Sequence, residues 1–310
     1  MISVVIPIYN EESLIGELVS QTVSALEATG SDFELLFVND GSKDNSMGML
    51  LNHQKSDHRI KVINLSRNFG HQAAYTAGID YMQGDYLVLM DGDLQDPPRL
   101  IPEMYQMLQS GEFDVVSGYR KANASNKSRN VATWLFHRLF SKVSELEDVE
   151  HIGNFSMMNK AAADALKSLK EKTRYLPGLR HFIGFRTTTI SYQRDQREVG
   201  DSKMSTWNLI SLAFDAIFSF SKLPVRFCLI MGMLGIVVSF LAGIYILASK
   251  FLGLSPLGWS STLTSIFFFG SIQLLFLGVL GEYVFRIYRE TQNRPIYLVR
   301  EFHSKAKVDK

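Results

Sequence analysis

The stretch YLVLMDGDLQDPP (residues 86–98) joins a short apolar run directly to a cluster of acidic residues. An uninterrupted apolar run of this length is typical of a strand that is covered on both faces, as in a parallel sheet. Comparable runs rich in Val, Ile, Leu and Phe occur at residues 3–8, 34–39, 61–65 and 114–117. Helical patterns separate them, at about residues 12–28, 44–54, 71–82 and 99–109. This alternation predicts an α/β domain with a mostly parallel sheet flanked by helices.

Polar residues follow three of the predicted strands, where ligands bind in sheets of this kind. They are Tyr9, Asn10, Glu11 and Glu12 after the first strand, Asp40, Gly41, Ser42 and Asp44 after the second, and residues 91–96 after the fourth. Carboxylates packed together repel one another unless a cation lies among them, and Mg²⁺ or Mn²⁺ commonly binds one or two carboxylates plus substrate phosphates. The pattern predicts a metal-bound diphosphate at Asp91 and Asp93. The alternative is a turn that starts a helix before Pro97 and Pro98.

Composition excludes several classes of function. The 310 residues carry a formal net charge of +1, so the chain lacks the basic field of a nucleic-acid-binding protein. The single cysteine, Cys228, excludes a disulfide framework and a cysteine-based zinc site. The absence of a GxGxxG turn after the first strand argues against a dinucleotide-dependent oxidoreductase, and the absence of a GxxxxGKS/T loop argues against a P-loop enzyme.

Two long uncharged apolar runs, residues 227–249 and 257–281, follow the predicted α/β domain. Because about 20 apolar residues in a helix cross a bilayer core, we expect a hairpin of two transmembrane helices at about 227–249 and 262–285. Lys and Arg flank the outer ends of this hairpin, which predicts that the α/β domain and both termini are cytoplasmic. The N-terminus lacks the pattern of a signal peptide. We therefore expect a multi-pass protein of the inner cell membrane, with buried helices of a soluble protein as the alternative.

The segment before the hairpin, residues 206–224, is predicted to form an interfacial amphipathic helix on the cytoplasmic leaflet. Its large apolar residues, among them Trp207, Ile210 and Phe214, lie mostly on one broad face. A helix that packs into a protein core would have the same pattern. The predicted organisation is a cytosolic catalytic domain over residues 1–205, this helix, two transmembrane helices within 225–288 and a cytosolic tail over 289–310.

Five motifs occur along the chain ahead of the terminal hairpin: VVIPIYNEE (4–12), FVNDGSKD (37–44), SRNFGHQAAYTAG (66–78), MDGDLQDPP (90–98) and REVGDSKMS (197–205). Together they resemble the family 2 glycosyltransferases, whose GT-A fold is a Rossmann-like α/β fold. The closer resemblance is to the polyprenyl-phosphate glycosyltransferases, such as the bactoprenol glucosyltransferases and the dolichol-phosphate mannose synthases. The resemblance covers nearly the whole chain, and it also implies a homo-oligomer, with a tetramer as one form.

The resemblance implies a binding site for a nucleotide sugar at the strand ends. Asp40 would accept a hydrogen bond from uracil or guanine, and Mg²⁺ or Mn²⁺ at Asp91 and Asp93 would neutralise the departing diphosphate. The implied nucleotide-binding residues are Pro7, Tyr9, Asn10, Glu11, Asp40, Asp91 and Gly92. The residues expected at the sugar are Asn68, Gln95, Asp96 and Asn154. A structural role for Asn68 and a helix cap at Asp96 are the alternatives.

The resemblance also implies where the lipid phosphate binds. Arg120 and Arg129 would approach the acceptor phosphate. The residues expected to close over the diphosphates are Arg197, Ser202 and Lys203. General attraction of these basic residues to anionic lipid is the alternative. The residues expected to take part in catalysis are Asp91, Asp93, Gln95, Arg129 and Arg197. His71 begins a predicted helix without a predicted partner, and we interpret it as a solvated or capping residue.

The predicted nucleophile is a phosphate monoester, and its chemistry makes a general base optional. Its second pKa of about 6 leaves it largely dianionic at neutral pH. One departure from the family pattern bears on this point, since bactoprenol glucosyltransferases tend to have GDFR where this chain has GNFS, residues 153–156. Asn154 cannot act as a base, although it can hydrogen-bond sugar hydroxyls. We assign it to sugar or acceptor recognition, with a role in loop structure as the alternative.

The sequence therefore predicts an inverting, metal-dependent glycosyltransferase. It would move one sugar, with a UDP-hexose as the expected donor, to polyprenyl (undecaprenyl) phosphate on the cytoplasmic leaflet. The expected partners are the nucleotide sugar, the polyprenyl phosphate, the bilayer and further copies of the chain. Two alternatives stay open: transfer to a hydroxyl of a lipid-linked saccharide, which needs a carboxylate base, and a non-catalytic membrane-anchored nucleotide-binding protein.

Overall fold

The computed structural model describes residues 1–120, 152–172, 174–193 and 258–304, together with nine positions between 230 and 245. An eight-stranded sheet organises the α/β unit. Its strands are β1 (Ile2–Ile8), β2 (Phe33–Asn39), β3 (Ile60–Leu65), β4 (Tyr86–Leu89), β5 (Val115–Arg120), β6 (Ile152–Asn159), β7 (Thr187–Tyr192) and β8 (Val299–His303). Neighbouring strands follow the order β7-β5-β6-β4-β1-β2-β3-β8.

Helices flank this sheet between the strands. They are α1 (Ile15–Glu27), α2 (Ser46–Ser56), α3 (His71–Tyr81), α4 (Ile101–Gln109, after a 3₁₀ turn at Pro98–Leu100), α5 (Lys160–Ser168) and α6 (Leu176–Phe182); a long helix, α7 (Trp259–Thr291), lies between β7 and β8 in the chain. The predicted α/β fold, with a mostly parallel sheet between helices, is confirmed. All five predicted strands and four predicted helices are present with ends shifted by up to three residues, whereas β6, β7, β8, α5 and α6 were not predicted.

Strand direction places the carboxyl ends of most strands at one edge of the sheet. β1 pairs in parallel with β2 and β4, β2 with β3, and β5 with β7, whereas β6 and β8 run antiparallel to their neighbours. The carboxyl ends of β1–β5 and β7 and the amino end of β6 therefore lie together. We call this edge the carboxyl rim. β1 and β2 are buried at every position, as their uninterrupted apolar runs predict.

Helix α3 packs on β1 through small residues. Ala74, Ala77 and Gly78 are buried on this helix. A Cβ built on Gly78 would lie 2.1 Å from Cγ1 of the buried Val5 in β1, so this close approach requires glycine. The close packing fixes the position of α3, whose first residue is His71.

Strand β8 comes from the segment that the sequence assigns to a cytosolic tail, residues 289–310. It pairs with β3, and beyond the end of β3 the Ser66 amide donates to the Leu298 carbonyl oxygen (2.9 Å). The Tyr297 hydroxyl donates to Asp80 (2.7 Å). Residues 295–304 are therefore part of the α/β unit, and β8 completes its sheet.

Helix α7 belongs to a second compact unit. It contains the whole of the predicted second transmembrane helix, residues 262–285. Within the described part of the chain, Phe268–Thr291 is the one stretch that is long and apolar enough to cross a bilayer by length and composition, with a mean hydropathy of 1.6. The nine described positions between 230 and 245 are helical. The rest of the predicted first transmembrane helix and the predicted interfacial helix lie outside the described residues, so the hairpin stays a prediction.

The packing of α3 on β1 predicts that Gly78→Ala lowers the melting temperature of the detergent-solubilised protein. The added methyl group overpacks Val5, and overpacking of this kind costs about 1–3 kcal/mol. Gly16→Ala in α1 is the matched control, because nothing lies within 4 Å of its Cβ position and alanine favours helix. Differential scanning fluorimetry compares the two variants. Equal melting temperatures would contradict the close α3–β1 contact.

Candidate active site

The carboxyl rim collects most of the predicted site residues. They are Pro7, Tyr9, Asn10, Glu11, Asp40, Asn68, Asp91, Gly92, Asp93, Gln95, Asp96, Arg120 and Asn154, each at or just beyond a strand end at this edge. The remaining predicted residues, Arg129, Arg197, Ser202 and Lys203, lie outside the described residues, and their roles stay predictions.

Asp91 follows β4 and receives three polar groups on one carboxylate oxygen. The Tyr75 hydroxyl donates to Oδ1 over 2.7 Å, and Nδ2 of Asn154 donates over 3.4 Å. Nε2 of His71 lies 3.2 Å from the same oxygen. The other oxygen, Oδ2, lies 3.9 Å from Nη2 of Arg120. Protein donors therefore fix the orientation of this carboxylate.

The surroundings of Asp91 keep it ionised. Burial alone would raise the pKa of its carboxyl, but His71, Tyr75 and Arg120 together hold that pKa well below its usual range. Burial would likewise lower the pKa of His71, but its bond to Asp91 and the charges of nearby carboxylates raise it. His71 is 46% exposed and pairs with Asp91, so the expectation that it has no partner is wrong.

Asp93 and Gln95 lie in a tight turn after Asp91. Leu94 has a positive φ of 58°, and the Gln95 amide donates to Oδ1 of Asp93 over 3.2 Å. Gly92 lies so close to the end of β1 that an added Cβ would be 2.9 Å from the Pro7 carbonyl oxygen. The turn is therefore fixed against β1, while the side chains of Asp93 and Gln95 stay partly exposed.

These acidic residues fit a divalent cation that is held jointly with a diphosphate. Asp91 is ionised and Asp93 is partly exposed, and carboxylate oxygens are the ligands that Mg²⁺ and Mn²⁺ prefer. Two carboxylates are a common protein contribution when substrate phosphates supply further ligands. Within the described ranges, no group of three or more His, Cys, Asp or Glu side chains forms a metal site.

Asp40 holds the loop that joins β3 to α3. Its Oδ1 accepts from the Phe69 amide (2.7 Å) and its Oδ2 from the Gly70 amide (2.9 Å). Burial raises the pKa of Asp40, and these two amides and the charge of His71 oppose that rise only in part. The sequence did not predict this structural role. The predicted contact of Asp40 with a nucleobase stays a prediction.

The loop after β2 holds the residues that follow β1. Asn10 has a positive φ of 55°. Its amide donates to the Ser42 hydroxyl (3.0 Å), and its Oδ1 accepts from the Lys43 amide (2.8 Å). Tyr9 and Asn68 are exposed at this part of the rim. A ligand can therefore approach both side chains from solvent.

Arg120, the last residue of β5, is held by Asp96 and Tyr192. Nη2 of Arg120 donates to Oδ1 of Asp96 (3.3 Å), and Nε donates to the Tyr192 hydroxyl (3.0 Å). The Tyr192 hydroxyl in turn donates to Oδ1 of Asp96 (2.5 Å). Burial and the charge of Asp91 raise the pKa of Asp96, against the charge of Arg120. Asp96 thus faces protein groups here, and its role in sugar recognition stays a prediction.

Arg180 is a buried cation behind the rim. Its Nη1 donates to the Ser156 hydroxyl (2.6 Å) and the Asn154 carbonyl oxygen (3.2 Å), and its Nη2 donates to the Gly153 carbonyl oxygen (2.9 Å). Burial lowers its pKa to about 10, so the side chain stays charged at neutral pH. Arg180 therefore fixes the amino end of β6, which carries Asn154.

Sequence reasoning missed Tyr75, Tyr192 and Arg180. Tyr75 lies one turn after His71 in α3, and their rings are 4.8 Å apart. The four-residue spacing in a predicted helix places both on one face, so this pair could have been found. Tyr192 and Arg180 belong to β7 and α6, which were not predicted, and no local pattern assigns them to the rim.

Comparison with known proteins identifies relatives along most of the chain. Residues 3–167 match the profile of a family described as glycosyl transferase family 2. An uncharacterised glycosyltransferase of Bacillus subtilis (strain 168), YkcC, is 40% identical over 301 residues, which cover 96% of this chain and 93% of that protein. A prophage-derived bactoprenol glucosyl transferase of Shigella flexneri is 34% identical over 305 residues, covering 97% of this chain and 98% of the relative.

Solved structures share the fold at low sequence identity. Mannosyl-3-phosphoglycerate synthase from Rubrobacter xylanophilus superposes with a TM-score of 0.52 at 13% identity, covering 70% of this chain and 71% of that one. Glucosyl-3-phosphoglycerate synthase from Mycobacterium tuberculosis, in complex with Mn²⁺, UDP-glucose and phosphoglyceric acid, superposes with a TM-score of 0.51 at 20% identity, covering 70% and 77%. Both similarities support the GT-A-like fold of the α/β unit.

Because the side chain of Asp40 accepts hydrogen bonds from the Phe69 and Gly70 amides, we predict that Asp40→Asn destabilises the protein. An asparagine amide has one acceptor oxygen, so one of the two backbone N–H groups loses its partner, at a cost of about 1–3 kcal/mol. Asp32→Asn, at an exposed loop position, is the control. Thermal melting of the solubilised variants measures the difference. If Asp40→Asn and the control have the same melting temperature, the hydrogen bonds to Asp40 do not contribute to stability.

Proposed function

The chain belongs to glycosyl transferase family 2, and on that premise we propose that it transfers one sugar from a nucleotide sugar to polyprenyl phosphate. The observation that carries this proposal is the approach of the cation Arg120 to the carboxylate of Asp91 (3.9 Å) at the rim that also carries Asp93. The relative named bactoprenol glucosyl transferase, which aligns over nearly its full length, supports a polyprenyl-phosphate acceptor. The apolar stretch Phe268–Thr291 supports an acceptor that resides in a membrane.

The proposed donor is a UDP-hexose. A structural neighbour with a similar fold was solved with UDP-glucose and Mn²⁺, which supports this class of donor. Tyr9, Asn10 and Asp40 lie at the ends of β1 and β2, where a nucleoside would bind in a sheet of this type. The exposed ring of Tyr9 offers a surface on which the base can stack. The carboxylate of Asp40 accepts two backbone hydrogen bonds and has further lone pairs that can accept from the base.

Asp91 and Asp93 are the residues proposed to hold Mg²⁺ or Mn²⁺. When bound, the cation would offset the charge of the leaving nucleoside diphosphate. The chain itself contributes an oriented carboxylate, since Tyr75, His71 and Asn154 all engage Oδ1 of Asp91. Preorganised groups of this kind need not rearrange as charge develops in the transition state.

The chemistry at position 154 favours a phosphate acceptor over a hydroxyl acceptor. A hydroxyl nucleophile needs a base, and Asn154 is an amide that donates to Asp91. A phosphate monoester needs no base because it is already an anion at neutral pH. Arg120 offers a cation for that anion beside Asp91, and Arg129 would add a second. Inversion at the sugar follows from a single in-line displacement.

The proposed location is the cytoplasmic leaflet of the inner membrane. We propose a multi-pass arrangement, with transmembrane helices at about 227–249 and 262–285 and an interfacial helix over 206–224. In this arrangement the basic residues Arg197 and Lys203 lie at the membrane surface and close over the substrate phosphates. Assembly into a homo-oligomer completes the proposal.

Transfer of label to a lipid tests this function directly. Solubilised protein is incubated with Mg²⁺ or Mn²⁺ and a panel of radiolabelled nucleotide sugars, with either polyprenyl phosphate or a lipid-linked saccharide as the acceptor. We expect one donor to yield a labelled, acid-labile lipid. Label that enters only a lipid-linked saccharide would favour the hydroxyl acceptor, and UDP binding without any labelled product would favour a non-catalytic nucleotide-binding protein.

Asp93→Asn is predicted to lower the rate of that transfer by at least about a hundredfold, as expected when a ligand of a charge-stabilising cation is lost. The variant should melt like the wild type because the side chain of Asp93 is partly exposed. Asp32→Asn again serves as control. A near-normal rate for Asp93→Asn would remove Asp93 from the proposed metal site.

A further inference from the structure

Tyr192, Asp96 and Arg120 form a closed set of hydrogen bonds at the rim. The Tyr192 hydroxyl accepts from Nε of Arg120 (3.0 Å) and donates to Oδ1 of Asp96 (2.5 Å), and Nη2 of Arg120 donates to that same oxygen (3.3 Å). The side chain of Asp96 has 0% exposure, whereas that of Arg120 is 26% exposed. The buried carboxylate therefore holds a guanidinium that reaches solvent.

The ring of Tyr192 is held in place by packing against its neighbours in the sheet. It packs edge-on against Phe155, with ring centroids 5.8 Å apart. A Cβ on Gly118 of the neighbouring strand β5 would lie 2.8 Å from Cε1 of Tyr192, so the ring occupies space that only glycine leaves open. The position of the hydroxyl is thus fixed by packing as well as by its hydrogen bonds.

The guanidinium of Arg120 is confined from a second side. A Cβ on Gly153 would lie 2.6 Å from Nη2 of Arg120, so the amino end of β6 lies directly against this nitrogen. Arg180 fixes that end of β6 by donating to the carbonyl oxygens of Gly153 and Asn154. Arg120 is therefore held in one place, 3.9 Å from Oδ2 of Asp91.

Charge and protonation suit a permanent cation at this point. Burial would lower the pKa of Arg120, but Asp96, Tyr192 and Asp91 raise it above its already high value. Burial and the charge of Asp96 raise the pKa of the Tyr192 phenol, which therefore stays a neutral donor. As far as the described residues go, Arg120 donates through Nε and Nη2, which leaves Nη1 for a ligand.

We propose that Tyr192, acting with Asp96, is a positioning residue that presents Arg120 to the phosphate of the acceptor lipid. This inference rests on the proposed function. A free arginine side chain has many rotamers, and fixing one of them before the ligand arrives removes an entropic cost from binding. Because Asp96 and Tyr192 hold Arg120 through Nε and Nη2, the anion meets a preformed donor. The donor diphosphate is the other phosphate at this rim, and the test separates the two.

Tyr192→Phe removes the hydroxyl group and keeps the ring packed against Gly118 and Phe155. We expect the KM for polyprenyl phosphate to rise roughly tenfold or more, the scale for a lost hydrogen bond to a charged group, with the KM for the nucleotide sugar little changed. Tyr105→Phe is the matched control, because Tyr105 packs on Tyr86 away from the rim. An unchanged KM for polyprenyl phosphate, or a rise confined to the nucleotide sugar, overturns the proposal.

Gly153→Ala is the second variant, since it displaces Nη2 of Arg120 without removing any polar group. We expect the same selective loss for the acceptor, and a melting temperature close to that of the wild type because the far end of a flexible side chain can move aside. If both variants lower only the melting temperature, Tyr192 is structural and the positioning role is wrong.

Binding of farnesyl phosphate and of UDP to the solubilised full-length protein separates this inference from the proposed function. Isothermal titration calorimetry is expected to give weaker farnesyl phosphate binding for Tyr192→Phe, with UDP binding unchanged. This readout needs no turnover, so a wild-type protein that binds but yields no labelled lipid would refute only the proposed reaction. A wild-type protein that does not bind farnesyl phosphate, or a Tyr192→Phe variant that binds it normally, overturns the positioning role.

Discussion

An ionised carboxylate at the end of β4 is the constraint on which the rest of the rim depends. Burial alone would raise the pKa of Asp91, and the surrounding donors hold it well below its usual range. Tyr75 and His71 come from α3, Asn154 from β6 and Arg120 from β5, so three elements must be correctly placed around the end of β4 to hold one side chain. The close contact of Gly78 with Val5 sets α3, and Arg180 sets β6. Packing far from solvent thus determines the charge of a group that faces the substrates.

The rim divides into two halves that meet at Asp91. On one side, hydrogen bonds of Asn10 and Asp40 join the loops that follow β1, β2 and β3. Loops fixed in this way suit recognition of a rigid nucleoside. On the other side, Arg120 is fixed by Asp96 and Tyr192, which suits an anionic acceptor. Two anions that react with each other repel, so a site that joins them needs fixed positive charge between them. The amide at position 154 donates to Asp91 and adds no negative charge beside it, which agrees with the proposed phosphate acceptor.

Local patterns were sufficient for the strands and α-helices of the first 120 residues, although not for the contacts of Tyr75 and Asp40. Apolar runs bounded by turns marked β1–β5, and the acidic residues after β4 were placed at the correct edge because strand direction follows from alternation with helices. β6 and β7 escaped prediction since Ser, Asn and Thr interrupt their apolar residues, and β8 since it follows the apolar helix. Two partners come from these later elements: Asn154 of β6 donates to Asp91, and Tyr192 of β7 accepts from Arg120. Long-range pairing, such as that of Tyr192 with Asp96, leaves no trace in local spacing. The basic residues at 129, 197 and 203 lie outside the described residues and stay predictions.

The central claim is that the paired aspartates at the carboxyl rim receive the donor diphosphate together with a divalent cation. Anomalous diffraction from crystals of the full-length protein grown with Mn²⁺ and UDP tests it most directly. We expect a manganese peak beside Asp91 and Asp93, with UDP bound at the same rim. UDP bound at the rim with no manganese peak between Asp91 and Asp93, or a peak at another edge of the sheet, would contradict it.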